Sequence, residues 1–429
     1  MFVNESTPPL QIKRAAWHTR VQALVFVWFA AAAVVAAVRF DDWAWFLVHF
    51  LMLGAVSNAL FIWSWHFTGA ILRVPGQADR SAEVQRLALL NLGIAGTVIG
   101  VRSEALPMIF ASVAFILAAV VLHGRAMLLA ARRALPSPYA FTIRAYIAAC
   151  TLLVPGLLLG AWMETLDEHD PLHERLVLAH VALNLLGWVG LPILGTIVTL
   201  WPTMLRTRIA ANAALLGRRA LPLLVTGVIV TAVGFGAGFT PLSAIGCAVY
   251  LGGFVRTLQP MVSVMRAKKP SAFSTWSALA GIVWLFAAVV ALGLRSALSS
   301  DVAAVHEGIS VIAFVGVVGI VQVLIGCMSY LIPAMAAGGP AIVRTRNDMA
   351  DSAMVPRFAL VNAGALVALL ARDAAQRVGS GLLAAGLLWT LARIAATIRT
   401  PSESRVARAE AARVWVDDKE IRPHPLRRR

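Results

Sequence analysis

The chain has 429 residues, of which 59% are hydrophobic and 14% charged, and its formal net charge is +16. No soluble globular domain of this length approaches that balance, so the composition defines an all-α polytopic integral membrane bundle whose first partner is the lipid bilayer. The Lys and Arg residues are spread over alternate loops instead of one patch, which favours membrane topology over nucleic-acid binding as their explanation.

Apolar runs bounded by charged or Pro/Gly-rich breaks fall at 21–38, 43–72, 87–101, 106–130, 140–163, 172–204, 220–238, 241–265, 273–294, 307–336, 355–371 and 377–396. Most reach the roughly 20 residues that cross a bilayer, and the set predicts about 12 transmembrane helices. The expected organisation is a cytoplasmic N-terminal segment over 1–20, a transmembrane domain over 21–396 and a basic cytoplasmic tail over 397–429. The first run follows Lys13, Arg14 and Arg20 and leads straight into Arg39-Phe40-Asp41-Asp42. It lacks a small-residue cleavage pattern and reads as a retained helix, not a signal peptide.

Alternate loops carry opposite charge. One set holds Arg73, Arg80, Arg125, Arg132, Arg206, Arg208, Lys268, Lys269, Arg344 and Arg346, and the other holds Asp41, Asp42, Glu104, the acidic stretch from Glu164 to Glu174, Asp301 and Glu307. The positive-inside rule places the basic set and both termini in the cytoplasm of a multi-pass plasma-membrane protein. The tail, with Arg405, Arg408, Arg413 and Arg427-Arg428-Arg429, is expected to rest on anionic headgroups.

Cys150, Cys247 and Cys327 lie in three different runs without CxxC spacing, so neither a disulfide framework nor a zinc site is indicated. There is no Walker-type phosphate loop, HExxH or GxSxG, and no catalytic residue is identified.

Histidines and uncharged polar groups carry the functional content. His180 lies inside the sixth run, with His173 seven residues before it and Asn184 four after, all on nearly one helical face. An intramembrane histidine costs free energy unless it is partnered, so this stripe is either a packing face or a metal or cofactor ligand. His49 and His180 lie at matched depth, about 9–12 Å below the outer helix ends. Two imidazoles at one level suit axial ligation of heme iron or part of a copper site, provided their helices are neighbours. Above them, His169 and His173 stand four apart among Asp167, Glu168, Asp170 and Glu174. That pattern suits a divalent metal, or simply helix entry with Asp170 as N-cap and Pro171 at the first position. His306-Glu307 opens the tenth run on the same side. His66 and His123 read as interfacial groups near helix C-termini. Asn58, Gln322, Ser329 and Tyr330 either line a path or lock helices together, and locking is favoured.

Three stretches, His49 to His66, AHVALNLLGWVGLPILGTIVTLWPTMLRTR around His180, and Gln322 to Pro340, resemble the heme-copper oxidase-like superfamily, in particular NnrS-like membrane proteins and the actinobacterial relatives labelled copper oxidases. The resemblance implies a subunit-I-like bundle able to hold heme and copper, with His49 at a heme-ligand position and His180 at a metal position. The run 220–238 has no histidine and the tenth run has only His306, at its rim, so a full oxygen-reducing binuclear centre is not expected.

The expected function is therefore a heme- and/or copper-binding membrane protein with His49 and His180 as ligands and His173, His306 and His169 as further metal candidates. Electron transfer, nitric-oxide handling or service to an outer-side copper or electron-transfer protein would fit, and a homo-oligomer is compatible with the sequence. The alternative is a cofactor-free transporter with Asn58, Asn184, His180 and Gln322 along a polar path; Pro155, Pro192 and Pro202 favour it by interrupting helices.

Overall fold

The computed structural model describes residues 9–74, 80–167, 169–335 and 340–399. Among these residues every regular element is a helix: α1 (Pro9–Val38), α2 (Trp43–Leu72), α3 (Ser81–Arg102), α4 (Leu106–Arg133), α5 (Ala140–Met163), α6 (Pro171–Met204), α7 (Ala213–Gly236), α8 (Thr240–Ala267), α9 (Phe273–Leu298), α10 (Val302–Glu307), α11 (Ile309–Met335), α12 (Pro340–Asp351), α13 (Met354–Leu370) and α14 (Asp373–Arg399). Eleven are long and apolar enough to cross a bilayer, and counting the bent pair α12–α13, angled by 41°, as one span makes 12. The chain is thus an all-α polytopic membrane bundle. The basic tail and His424 lie outside the described residues.

Several helices outrun their apolar runs, because hydrophobicity marks the part of a helix in lipid and not the turns that project beyond it. α3 starts at Ser81, where Ser-Ala-Glu-Val-Gln-Arg supplies a polar first turn and a half. The tenth run differs in kind. His306 does not open α11; it lies in α10, which Asp301 caps by accepting from the Ala304 N–H at 2.9 Å, and Gly308 separates the two helices.

Adjacent helices pack as antiparallel pairs at small residues. A Cβ on Gly281 of α9 would meet the Gly319 carbonyl of α11 at 2.6 Å, and one on Gly364 of α13 would meet the Leu383 backbone N of α14 at 2.5 Å. Such close approach is how helices associate where lipid removes the hydrophobic drive.

The three most buried spans are α6, α11 and α2, with 72, 61 and 56% of their apolar windows buried against 33–44% for the others. Each is the second spanning helix of a consecutive block of four: α1–α4, α5–α8, and α9, α11, α13 and α14. The core therefore lies where one helix from each block meets the others.

Two of these inner helices are locally unwound into wide π-type turns, over Phe50–Val56 in α2 and Ala182–Gly190 in α6. Wide turns loosen the regular carbonyl ladder, and in a membrane the freed groups need partners from the protein. Side chains supply them. Ser57 donates to the Met52 carbonyl at 2.9 Å, Asn58 to Gly54 at 2.9 Å, Asn184 to His180 at 2.8 Å and Tyr250 to Leu186 at 3.1 Å. Trp188 then donates to Ser57 Oγ at 2.9 Å and ties one wide turn to the other.

Candidate functional site

His49 and His180 stand at equivalent places in two of the blocks: His49 immediately precedes the wide turn of α2, and His180 is two residues before that of α6. His49 Nδ1 lies 2.8 Å from the Trp45 carbonyl, and its ring stacks on the Trp45 indole at 3.9 Å between centroids. His180 Nδ1 lies 2.8 Å from the Gly156 carbonyl of α5. The ring enters there because α5 has no side chain at Gly160, where a Cβ would come within 3.0 Å of His180 Cε1.

A carbonyl only accepts, so Nδ1 carries the hydrogen in both rings and each neutral imidazole presents Nε2 as a lone pair. A backbone or carboxylate acceptor on the far nitrogen is the usual support of a metal-bound histidine. Their helices touch, since Trp188 of α6 donates to Ser57 Oγ of α2 at 2.9 Å. The donor set is therefore two oriented imidazoles from neighbouring helices of the core.

Further donors do not join them. Among the described residues no group of three or more His, Cys, Asp or Glu side chains is arranged to hold a metal ion. His306 Nδ1 approaches Glu174 Oε1 at 3.9 Å, one residue from His173, whose own Nδ1 is buried without a partner. His169 is almost fully exposed and bonds back to Asp167. Its backbone N–H, first, and its ring hold the Asp167 carboxyl below the ordinary aspartate value. Asp170 caps α6 by accepting from the Leu172 N–H at 2.8 Å, as expected for helix entry.

Asn58, Gln322 and Tyr330 bond across helices, whereas Asn184 and Ser329 bond carbonyls of their own helices. Asn58 and Asn91 exchange side-chain hydrogen bonds at 2.8 and 3.2 Å, and Trp28 donates to Asn91 Oδ1 at 2.7 Å, joining α1, α2 and α3. In the third block Trp284 and Gln322 both donate to Asn362 Oδ1, at 2.9 and 3.2 Å, joining α9, α11 and α13. Tyr330 OH donates to the Thr203 carbonyl at 3.3 Å.

His123 departs from expectation. It is 1% exposed, well inside α4, stacked on Phe61 at 4.3 Å, with Nε2 2.8 Å from Ser64 Oγ. Arg125 two residues on suggests an interface, yet that side chain points away from the bundle and is exposed. A long arginine stem allows this, since it carries its charge toward water along the surface. The residues at 116, 119, 120 and 127 are buried with His123, a helical stripe readable in the sequence that marks it as inward-facing.

Fold and site together define a polytopic helical membrane protein with a pair of core histidines. No protein-family model and no curated protein sequence matches the chain.

Proposed function

We propose that the chain is a heme-binding redox protein of the plasma membrane, with His49 and His180 as the protein's ligands. The observation that carries this reading is the pair of imidazoles held through Nδ1, each with Nε2 free, before matching wide turns. Through their Nε2 atoms His49 and His180 would hold a heme iron, whereas zinc sites take three or four protein ligands and typical copper electron-transfer sites take three. The donor set thus fits heme better than copper. The resemblance to the heme-copper oxidase-like superfamily agrees with this reading.

Heme bound there would supply one-electron chemistry, suited to electron transfer or to handling nitric oxide. The protein's part is orientation: Trp45 and Gly156 fix the tautomers, and Trp188 with Ser57 holds the two ligand-bearing helices together. Under the positive-inside rule the histidines face the outer half of the membrane, within reach of an outer-side electron-transfer or copper protein.

The test is an absorption spectrum of the detergent-purified protein, oxidised and dithionite-reduced, with iron and copper quantified on the same sample. The expected result is a Soret band that shifts on reduction and is lost in His49→Ala and in His180→Ala while both variants still insert. A colourless, metal-free wild type would sink the proposal and leave the cofactor-free permease, for which the half-open space between α2, α6 and α11 is the structural argument.

A further inference from the structure

At the opposite end of α6 from His180, where α6, the loop after α8, α9, α11 and α12 converge, lies an open pocket of about 230 Å³. Its wall is mostly polar and carries charge of both signs. Arg206 and Lys268 adjoin, since Lys268 Nζ donates to the Arg206 carbonyl at 3.4 Å, and Asp348 and Asp351 stand one turn apart on α12. Among the described residues neither cation is ion-paired with either carboxylate.

The acidic turn is fixed in place. α12 ends at the 41° break of the α12–α13 span, where Arg393 Nη2 donates to the Met349 carbonyl at 3.0 Å and Arg357 to the Ala350 carbonyl at 2.5 Å. Asp351 Oδ1 accepts from the Phe273 N–H at 2.9 Å and ties that turn to the start of α9. Beside it Ser274 lines the pocket at 4% exposure, and its hydroxyl makes no hydrogen bond among the described residues. First-turn N–H groups have no acceptor within their helix and carry positive potential, so the start of α9 and the buried Ser274 hydroxyl add donors for an anion. An interrupted helix with helix ends facing a polar cavity is a recurring form of solute site in membrane proteins.

We propose that the pocket binds a compact zwitterion, a primary ammonium a few bonds from a phosphate or carboxylate. A lone anion there would face two carboxylates, and a lone cation would face Arg206 and Lys268. Only a ligand with both charges is complementary to the whole wall. The charges must be close together on it, because Asp351 reaches the first N–H of α9 and so brings the acidic and the donating sides side by side. The anionic end meets Lys268, Ser274 and the start of α9, and the ammonium meets Asp348 and the second oxygen of Asp351. Two sources carry this chemistry: the ethanolamine headgroup of a phospholipid and a free amino acid. Binding does not involve His49 or His180.

The test is calorimetric titration of the full chain, delipidated in a maltoside detergent, with sn-glycero-3-phosphoethanolamine and with L-alanine. Ethanolamine and sn-glycerol 3-phosphate serve as ligands of one charge sign. Expected is one site per chain for a zwitterion, with both single-sign ligands about tenfold weaker or more. Binding of the phosphoethanolamine alone assigns the lipid source, and binding of alanine alone the free amino acid. Asp348→Asn and Lys268→Gln should each weaken binding about tenfold and Ser274→Ala about threefold. Lys269→Gln, next in sequence but outside the pocket wall, should bind as wild type. Thermal unfolding checks that each variant is folded; Asp348 and Lys268 are exposed, so their replacement leaves the core untouched. No saturable binding of either zwitterion, as for a pocket that holds water only, would overturn the proposal. So would equal binding of a single-sign ligand, or wild-type affinity in both charge variants. The readout is independent of a Soret band, so its failure and that of the heme reading are separate results.

Discussion

Asn58 and Asn91 illustrate how single polar residues hold this bundle. Each amide gives and receives across the α2–α3 contact, and each also bonds a carbonyl of its own helix, Asn58 to Gly54 and Asn91 to Leu87. Trp28 adds a third helix. Removing one partner leaves the others buried and unsatisfied, a cost of about 1–3 kcal/mol. Asn91→Ala is therefore expected to destabilise by that amount in detergent unfolding. A double-mutant cycle with Asn58→Ala should give a coupling of about 0.6–2 kcal/mol, the range of intramembrane hydrogen bonds. Additive losses would show that the pair is only a neighbourly contact.

At the scale of elements, the wide turns decide where the histidines point. Widening α6 over Ala182–Gly190 places Asn184 against α5, where Gly156 makes room for it: a Cβ there would come 2.7 Å from Asn184 Oδ1. The same residue's carbonyl holds His180. Gly156→Ala should thus push Asn184 off the His180 carbonyl, at about 1–3 kcal/mol for overpacking, and reduce cofactor content with it. Gly69→Ala, where an added Cβ meets nothing within 4 Å, is the matched control and should leave melting temperature and spectrum near wild type. A Gly156→Ala protein with unchanged stability and spectrum would mean that the α5–α6 contact does not position the ligand.

For the whole molecule, the prediction is orientation. The loops at one end carry Arg73, Arg206, Lys268 and Lys269, and those at the other carry Asp41, Glu104, Asp167 and Asp301. Cys150 and Cys247 are buried and Cys327 is partly buried, so a cysteine placed in a loop is the accessible one. In intact cells a membrane-impermeant maleimide should label Ser103→Cys, and Lys269→Cys only after lysis. The reverse pattern would invert the topology and place the histidine pair in the inner half of the membrane.

How much was legible beforehand differs between residues for physical reasons. Apolar run length and loop charge are local quantities, and they sufficed for the all-α membrane class, the spans and the alternation of basic and acidic loops. Asp170 was readable as a cap because capping acts over two residues. His49 and His180 were readable as oddities, since any histidine at lipid depth is costly. Their tautomers, however, depend on the Trp45 and Gly156 carbonyls, and the contact between their helices on how Trp188 meets Ser57. The wide turns have no periodicity of their own, and the Asn58–Asn91 and Gln322–Asn362 locks join residues 33 and 40 positions apart. Composition and hydropathy by themselves determined a helical membrane protein of eleven or twelve spans, because transfer into lipid is governed residue by residue. Only the tertiary structure decided which helices form the core, which nitrogens are free and where a pocket opens, because those follow from three blocks meeting in space.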